Sequence, residues 1–242
     1  FLMEARMTAR FNHPHIVTIY AVGRIEGTPY VALEYLEGQD LAARIAEQRL
    51  SEYEALRTAL AVAQAIQEAH RHDVMHRDLK PANVLIPTDG RIRVVDFGLA
   101  HVLKRANDVD DDSGLPGPKS IHGTPAYMAP EQWQGEVTAT TDIWAIGLML
   151  YELIAGRPPW RGFSVLQLRA RVLDPEPIEV DEALDGASPA IMDLVRDCLE
   201  KNHTNRPSAE AVVERLNSEG PGFYDTPDMK SATIDGFLDE IA

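Results

Sequence analysis

Apolar residues recur at helical spacing in the most regular stretch of this chain. They lie three or four positions apart between residues 56 and 66: Leu56, Leu60, Ala63 and Ile66. Ser51 precedes this stretch, and Glu54 lies three positions after Ser51. A serine and a glutamate at this spacing form the capping box that starts many helices. The pattern therefore predicts an amphipathic helix that begins after Ser51 and ends near His70.

Other helices are indicated by shorter patterns and by their start signals. Residues 1–11 can form a helix, and Leu41–Gln48 can form a short one after Gly38 interrupts the chain. From Thr141 onward the chain is apolar enough for a buried helix. Two further helices are predicted from cap and proline pairs at their first positions: Ser188-Pro189 and Pro207-Ser208.

Strand-like runs occur only in the first hundred residues. Ile16–Tyr20 and Tyr30–Glu34 flank the turn residues Glu-Gly-Thr-Pro, which predicts a hairpin. Val84–Ile86 and Ile92–Val95 flank a Pro-Thr-Asp-Gly turn, whose Asp-Gly pair is typical of a tight hairpin. Val74-Met75 is a further short strand candidate. The order of elements predicts an α+β fold with a small β-containing part followed by a large helical part.

Composition limits the classes of protein and partner. The chain has 242 residues, of which 45% are hydrophobic, enough for one large domain with a core. The net charge of −15 argues against nucleic acid or an anionic membrane as the main partner. Cys198 is the sole cysteine, which excludes an internal disulfide and fits a reducing compartment. The apolar run from Ile143 to Ala155 is too short to cross a bilayer.

Three short motifs combine acidic, basic and amide side chains. Residues 76–83 read His-Arg-Asp-Leu-Lys-Pro-Ala-Asn, residues 96–98 read Asp-Phe-Gly, and residues 129–131 read Ala-Pro-Glu. The first two contain carboxylate and amide oxygens, which are hard ligands suited to Mg²⁺.

The ordered set of motifs resembles the signature of the Ser/Thr protein kinases, and most of all their bacterial branch. The resemblance implies an α+β, two-lobe fold. It assigns residues 1–38 to a partial N-lobe, residues 39–217 to a C-lobe, and residues 218–242 to a flexible tail. Since the first residues resemble the αC helix of that family, we expect a chain truncated at its N-terminus and inactive by itself.

The resemblance also implies roles in catalysis. Asp78 would be the catalytic base, and Lys80 would contact the γ-phosphate of ATP. Asn83 and Asp96 would hold Mg²⁺ between the phosphates. Thr124 would hydrogen-bond near the catalytic base and help to select a hydroxyl substrate.

Residues 31–38 resemble the hinge that binds adenine. The carbonyl of Glu34 and the amide of Leu36 would pair with the adenine edge, and Leu85 would form the floor of its site. Glu4 resembles the αC glutamate that pairs with the ATP lysine of the family, although that lysine is absent here.

Two buried contacts outside the reaction centre are implied as well. Glu131 would form a structural ion pair with Arg206. Asp142 would cap the central helix and bind the backbone of the His76-Arg77 pair.

A long polar loop between the second and third motifs predicts a regulated segment. Residues 101–122 carry no apolar periodicity and contain an acidic run at 108–112. Arg77 would bind a phosphate on this loop, with Ser120 the leading site and Ser113 the next.

The predicted partners are protein substrates phosphorylated on Ser or Thr, with ATP and Mg²⁺ as cofactors. We expect no nucleic acid partner and no membrane contact by this segment. The expected location is cytoplasmic, and a dimer of the full-length protein stays possible. Two other functions stay open. One is a non-catalytic pseudokinase or scaffold, and the other is a small-molecule phosphotransferase that shares the catalytic loop.

Overall fold

The structure is a computed structural model that describes residues 13–26, 28–97, 125–180, 182–184 and 186–219. Several predictions fall outside these residues: the helix over 1–11 with Glu4, the residue Gly98, the loop 101–122 with Ser113 and Ser120, the residue Thr124, and the tail after residue 219. The division of the chain at residues 38 and 217 stays a prediction.

The described residues form five short strands and seven α-helices. The strands are β1 (Ile19–Ile25), β2 (Thr28–Leu33), β3 (Gly38–Asp40), β4 (Val84–Pro87) and β5 (Arg93–Val94). The helices are α1 (Leu41–Glu47), α2 (Glu52–Arg71), α3 (Pro130–Trp133), α4 (Ala139–Ala155), α5 (Val165–Leu173), α6 (Pro189–Cys198) and α7 (Ala209–Glu219). Three single turns of 3₁₀-helix lie at Pro81–Asn83, Pro125–Tyr127 and His203–Asn205.

The first sheet is the predicted hairpin, but its first strand is displaced along the chain. Strands β1 and β2 pair antiparallel, from Ile19 opposite Leu33 to Ile25 opposite Thr28. The prediction started this strand at Ile16. Ile16 instead forms a parallel bridge to Val94 of the other sheet. Residues 15–17 therefore join the two sheets, and a single-sequence pattern could not reveal which partner they choose.

The second sheet has the strand order β3-β4-β5, and all its pairs are antiparallel. The predicted pairing of β4 with β5 is confirmed, with Val84 opposite Val94. Strand β3 was not predicted, because Gly38 was interpreted as a break in the chain. A Cβ at Gly38 would lie 2.3 Å from the Ile86 carbonyl oxygen, so glycine permits the close approach of these two strands.

Helix α2 begins and ends with well-defined caps. The Ser51 hydroxyl accepts the Glu54 N–H, and the Glu54 carboxylate accepts the Ser51 N–H, which confirms the predicted capping box. At the other end Asp73 adopts φ +58°, and the Val74 N–H donates to the Ala69 carbonyl at 3.0 Å. This is a Schellman ending. The strand predicted at Val74-Met75 is wrong, because these residues complete the helix cap and are in no strand pair.

Helix α4 is the centre of the helical part. Nearly all its residues are buried, and α2 and α6 pack against it. Its start differs from the prediction in one respect. The Thr141 hydroxyl, and not Asp142, accepts the Thr138 N–H at the N-terminus, at 3.0 Å. Asp142 is turned instead toward the segment that follows helix α2.

The architecture is α+β, with few short strands and mostly helices, as the sequence predicts. Within the described residues, no helix has both the length and the apolar character needed to cross a membrane.

Helices α4 and α6 approach closely at a glycine, and this contact is testable. A Cβ at Gly147 would lie 2.6 Å from the Cys198 Cβ. We expect Gly147→Ala to lower the free energy of unfolding by about 1–3 kcal/mol, because the crowded helices must move apart. Urea unfolding measures this loss.

The control for this experiment is Ala139→Ser, at an exposed position of the same helix. It should change stability by less than about 0.5 kcal/mol. Equal stability of Gly147→Ala and the wild-type protein would contradict the close packing.

Candidate active site

The segment 76–83 lies between the end of helix α2 and the start of strand β4. Within it the Lys80 Nζ donates to the Asp78 Oδ2 at 2.8 Å. Both side chains are about one-fifth exposed, so a reacting group could reach them from solvent. A carboxylate held in position by this bond is suited to orient a hydroxyl nucleophile.

Asn83 connects the predicted base to the predicted metal ligands. Its side-chain Nδ2 donates to the Asp78 carbonyl oxygen at 2.8 Å. Its own carbonyl accepts the Val95 N–H at 2.9 Å, next to Asp96. These two bonds bring the segment of Asp78 and the segment of Asp96 together, although they lie eighteen positions apart in the sequence. Because the amide nitrogen is used, the side-chain oxygen is the atom that remains suited to a metal.

Asp96 has a backbone conformation that few non-glycine residues adopt. Its φ is +63°. Such a left-handed conformation costs roughly 1–2 kcal/mol, and strained residues of this kind concentrate at functional sites. The next residue, Phe97, is buried, and its ring centroid lies 4.8 Å from that of His76. The buried ring of Phe97 therefore packs next to Asp96 against the segment that contains Asp78.

His76 contributes a second bond between the same segments. Its Nε2 lies 2.9 Å from the Val95 carbonyl oxygen. Since a carbonyl oxygen only accepts, Nε2 carries the proton of the neutral ring. Burial lowers the pKa of His76, so the ring stays neutral at physiological pH. We infer a structural role for His76 in holding strand β5 against the segment that contains Asp78.

Asp142 anchors the start of this segment, as the sequence predicts. It is 1% exposed and accepts the backbone N–H of His76 at 2.9 Å and that of Arg77 at 2.8 Å. Arg77 itself adopts a left-handed φ of +70°, directly before Asp78. The carboxylate thereby holds the backbone of the two residues that precede Asp78.

A third donor to Asp142 was not identified from the sequence. The Nε2 of His70 lies 2.8 Å from its Oδ2, and the carboxylate accepts that bond. The sequence pattern predicts His70 only as the end of helix α2. A signal was present, because His70 continues the apolar face of that helix four positions after Ile66.

The predicted ion pair between Glu131 and Arg206 is confirmed. Arg206 donates to both carboxylate oxygens of Glu131, at 2.7 and 2.9 Å, and the two residues are 5% and 4% exposed. The Thr141 hydroxyl also donates to Glu131, at 2.8 Å. Burial alone would raise the pKa of Glu131, but the bonds and charge of Arg206 outweigh burial and lower it. The pair fixes helix α3 to helix α4 and to the chain before α7.

The segment between the second and third motifs ends in a well-packed turn. The Tyr127 hydroxyl donates to the Glu152 carboxylate of helix α4, and the Trp160 Nε1 donates to the Ala126 carbonyl at 2.8 Å. Burial raises the pKa of Tyr127 and of Glu152. Gln132 of helix α3 donates to the Arg77 carbonyl at 2.9 Å. These bonds hold residues 125–133 beside the segment of Asp78.

The predicted hinge is the extended connection between the two sheets. Glu34 bonds twice to Thr18, since its N–H donates to the Thr18 carbonyl at 2.9 Å and its side chain accepts the Thr18 N–H at 2.8 Å. The same carboxylate lies 3.6 Å from the Arg93 Nε of the second sheet. Leu36 lies in the connection, and Leu85 lies in β4 opposite Asp40. Their contacts with adenine stay predictions.

The two predicted metal ligands, Asn83 and Asp96, both offer oxygen atoms, which suit hard cations such as Mg²⁺. Within the described ranges there is no group of three or more His, Cys, Asp or Glu side chains that could hold an ion. Mg²⁺ keeps several waters and uses one or two protein oxygens together with substrate phosphates. Asn83 and Asp96 supply this kind of incomplete set, and the roles of both in metal binding stay predictions.

Comparison with known families agrees with the fold. The sequence model of the protein kinase domain matches residues 1–216. The chain therefore belongs to the protein kinase family.

The chain is also similar to bacterial serine/threonine kinases. It is 31% identical over 212 residues to the serine/threonine-protein kinase PknB of Mycobacterium leprae, which covers 85% of this chain and 33% of that protein. It is 34% identical over 228 residues to the serine/threonine-protein kinase pkn3 of Myxococcus xanthus, which covers 90% of this chain and 41% of that protein. The chain thus spans about a third of the length of the curated relatives it matches.

The Glu131–Arg206 pair predicts a change of stability with pH. Glu131→Gln leaves the Arg206 guanidinium buried without its carboxylate, so we expect a loss of about 3–5 kcal/mol in the free energy of unfolding near pH 7. Because folding lowers the pKa of Glu131, its contribution is complete above the ordinary value of 4.5 and is lost as the pH falls below it.

The measurement is chemical unfolding of both proteins at several pH values. The difference between wild type and Glu131→Gln should shrink as the pH falls below about 4.5. Glu136→Gln, at an exposed glutamate five positions later, is the matched control. A difference between wild type and Glu131→Gln that does not change with pH would show that the carboxylate charge is not responsible.

The Asp142 anchor predicts a local effect on the backbone. In Asp142→Asn the amide nitrogen replaces one acceptor oxygen, so a bond to a charged group worth about 1.5–3 kcal/mol is lost. We expect the backbone amides of His76 and Arg77 to exchange hydrogen faster, as measured by NMR. Asp193→Asn, at an exposed position of helix α6, should leave both rates unchanged. Unchanged rates in Asp142→Asn would exclude the anchoring role.

Proposed function

We propose that the protein containing this chain is a serine/threonine protein kinase, which transfers the γ-phosphate of ATP to Ser or Thr hydroxyls of protein substrates. The observation that supports it most is the contact network of residues 76–96, in which Asp78, Lys80 and Asn83 share direct bonds. The similarity to bacterial serine/threonine kinases supports the substrate class.

Asp78 acts as the catalytic base in this proposal. A substrate hydroxyl donates its hydrogen bond to the Asp78 carboxylate, which orients the oxygen toward the γ-phosphorus and accepts the proton. Lys80, already bound to the same carboxylate, shifts toward the γ-phosphate and balances its growing negative charge. The two groups therefore act as one unit around the reacting oxygen.

Asn83 and Asp96 would hold Mg²⁺ at the phosphates of the nucleotide, where it would supply charge neutralisation and Lewis-acid stabilisation. Asn83 is held in place by its bond to the Asp78 backbone, so the metal site and the base keep a constant separation. The adenine edge pairs with the Glu34 carbonyl and the Leu36 amide, and Leu85 forms the floor of its site. The role of Thr124 in this proposal is to help select a hydroxyl substrate.

Specific features of the sequence and the structure argue against two other functions. A small-molecule phosphotransferase would share Asp78, Asn83 and Asp96, but the Lys-Pro pair at 80–81 and the Ala-Pro-Glu segment favour protein substrates. A non-catalytic scaffold would not need the intact base and metal ligands. The Asp78–Lys80 contact and the left-handed backbone at Asp96 favour an enzyme.

Activity assays on the full-length protein test the proposal. We expect Asp78→Asn and Asp96→Ala each to lower labelled-phosphate transfer to a basic test protein by about 10²–10⁴-fold, as is usual for loss of a general base or metal ligand. Asp193→Asn, on the exposed face of helix α6, is the control for a lost carboxylate. Undiminished transfer in both site variants would contradict the assigned roles.

A further inference from the structure

Helix α5 and the loop before it expose an apolar surface that the proposed reaction does not use. Phe163, Val165 and Leu166 are 49%, 52% and 79% exposed. Leu168 and Val172 of the same helix are buried, so the element is attached to the core. Exposed apolar clusters of this kind mark interaction surfaces.

Basic side chains border these apolar residues. Residues 160–173 contain three arginines and no acidic residue, although the whole chain has a net charge of −15. Arg171 donates to two backbone carbonyls at 176 and 177. Arg161 and Arg169 are exposed, and Arg169 shares a helix face with Val165 and Leu166 at i+4 and i+3. We call Phe163, Val165, Leu166, Arg161 and Arg169 together the α5 patch.

The end of the chain has the complementary composition. Its last apolar residues follow helical spacing: Ile234, Phe237, Leu238 and Ile241. Residues 231–242 also contain three acidic side chains and no basic one. Gly236 costs such a helix about 1 kcal/mol, and twelve residues are marginal for an isolated helix in water. A helix here needs a surface that covers its apolar stripe.

The connection is long enough to bring this segment to helix α5. The described chain ends at Glu219, whose carboxylate accepts the Ser188 hydroxyl at 2.5 Å, beside the start of helix α6. Residues 220–233 are fourteen residues, which reach about 46 Å when extended. A domain of this size has a radius of gyration of only about 17 Å. A tether this short keeps the segment that starts at residue 234 at an effective concentration in the millimolar range near helix α5.

We propose that residues 234–241 dock on the α5 patch of the same molecule as an amphipathic helix. Its apolar stripe covers Phe163, Val165 and Leu166. Its acidic side chains lie toward Arg161 and Arg169, and this charge pairing selects the tail over neutral apolar segments. The inference is independent of the proposed kinase activity.

Crosslinking within the full chain tests this proposal. Ala170→Cys adds a thiol on the exposed side of helix α5, and Ala242→Cys adds one at the end of the tail. A short bismaleimide then joins thiols that lie close together. The natural Cys198 is buried, and burial raises its pKa to about 12, so it does not compete. The matched control pair is Ala46→Cys with Ala242→Cys, since Ala46 is exposed on helix α1.

We expect a severalfold higher yield of the intramolecular product for the α5 pair than for the control pair, at every protein concentration. Leu238→Asp in the tail and Leu166→Asp in the patch should each reduce that yield to the control level. Arg169→Glu should lower it, and adding Asp239→Arg should restore it. Circular dichroism checks that the exposed substitutions leave the fold intact.

Two results would overturn the proposal. Equal yields for the α5 pair and the control pair would show an undocked tail. Products that join two chains, with a yield that rises with concentration, would assign the α5 patch to contacts between copies.

Discussion

The buried carboxylate of Asp142 is the contact on which the candidate site most depends. It accepts two consecutive backbone N–H groups, those of His76 and Arg77, and a third bond from His70. A buried charge is tolerated only when its hydrogen bonds are complete, and here three donors satisfy it. Because Asp142 lies on the central helix and the donors lie before Asp78, one side chain fixes the catalytic segment to the core.

The second constraint is the joint between the two sheets. Residues 15–17 bond to Val94, and the Glu34 carboxylate lies between Thr18 and Arg93. These contacts hold the small hairpin against the sheet that precedes Asp96. A kinase must hold nucleotide and metal between its two parts, so the position of the hairpin bears directly on the proposed function.

Sequence patterns were most reliable where local chemistry decides the structure. The capping box at Ser51, helices α1, α2, α6 and α7 and the β4–β5 turn were predicted because each depends on neighbouring residues. The errors have a common cause. The strand at Val74-Met75 was displaced by a helix cap, strand β3 was hidden by Gly38, and Ile16 paired with the other sheet. In each case the outcome depended on a partner distant in sequence.

The sequence by itself determined the family, the order of motifs and the chemical type of each candidate residue, because these are properties of residue identity and spacing. Tertiary structure decided which groups meet. Asn83 bonds to the Asp78 carbonyl and to the Val95 N–H, and Asp142 gains His70 as a third donor. These contacts join residues up to 72 positions apart in the chain. They form because a polar group that is buried without a hydrogen-bond partner costs free energy, and the fold supplies that partner from a distant part of the sequence.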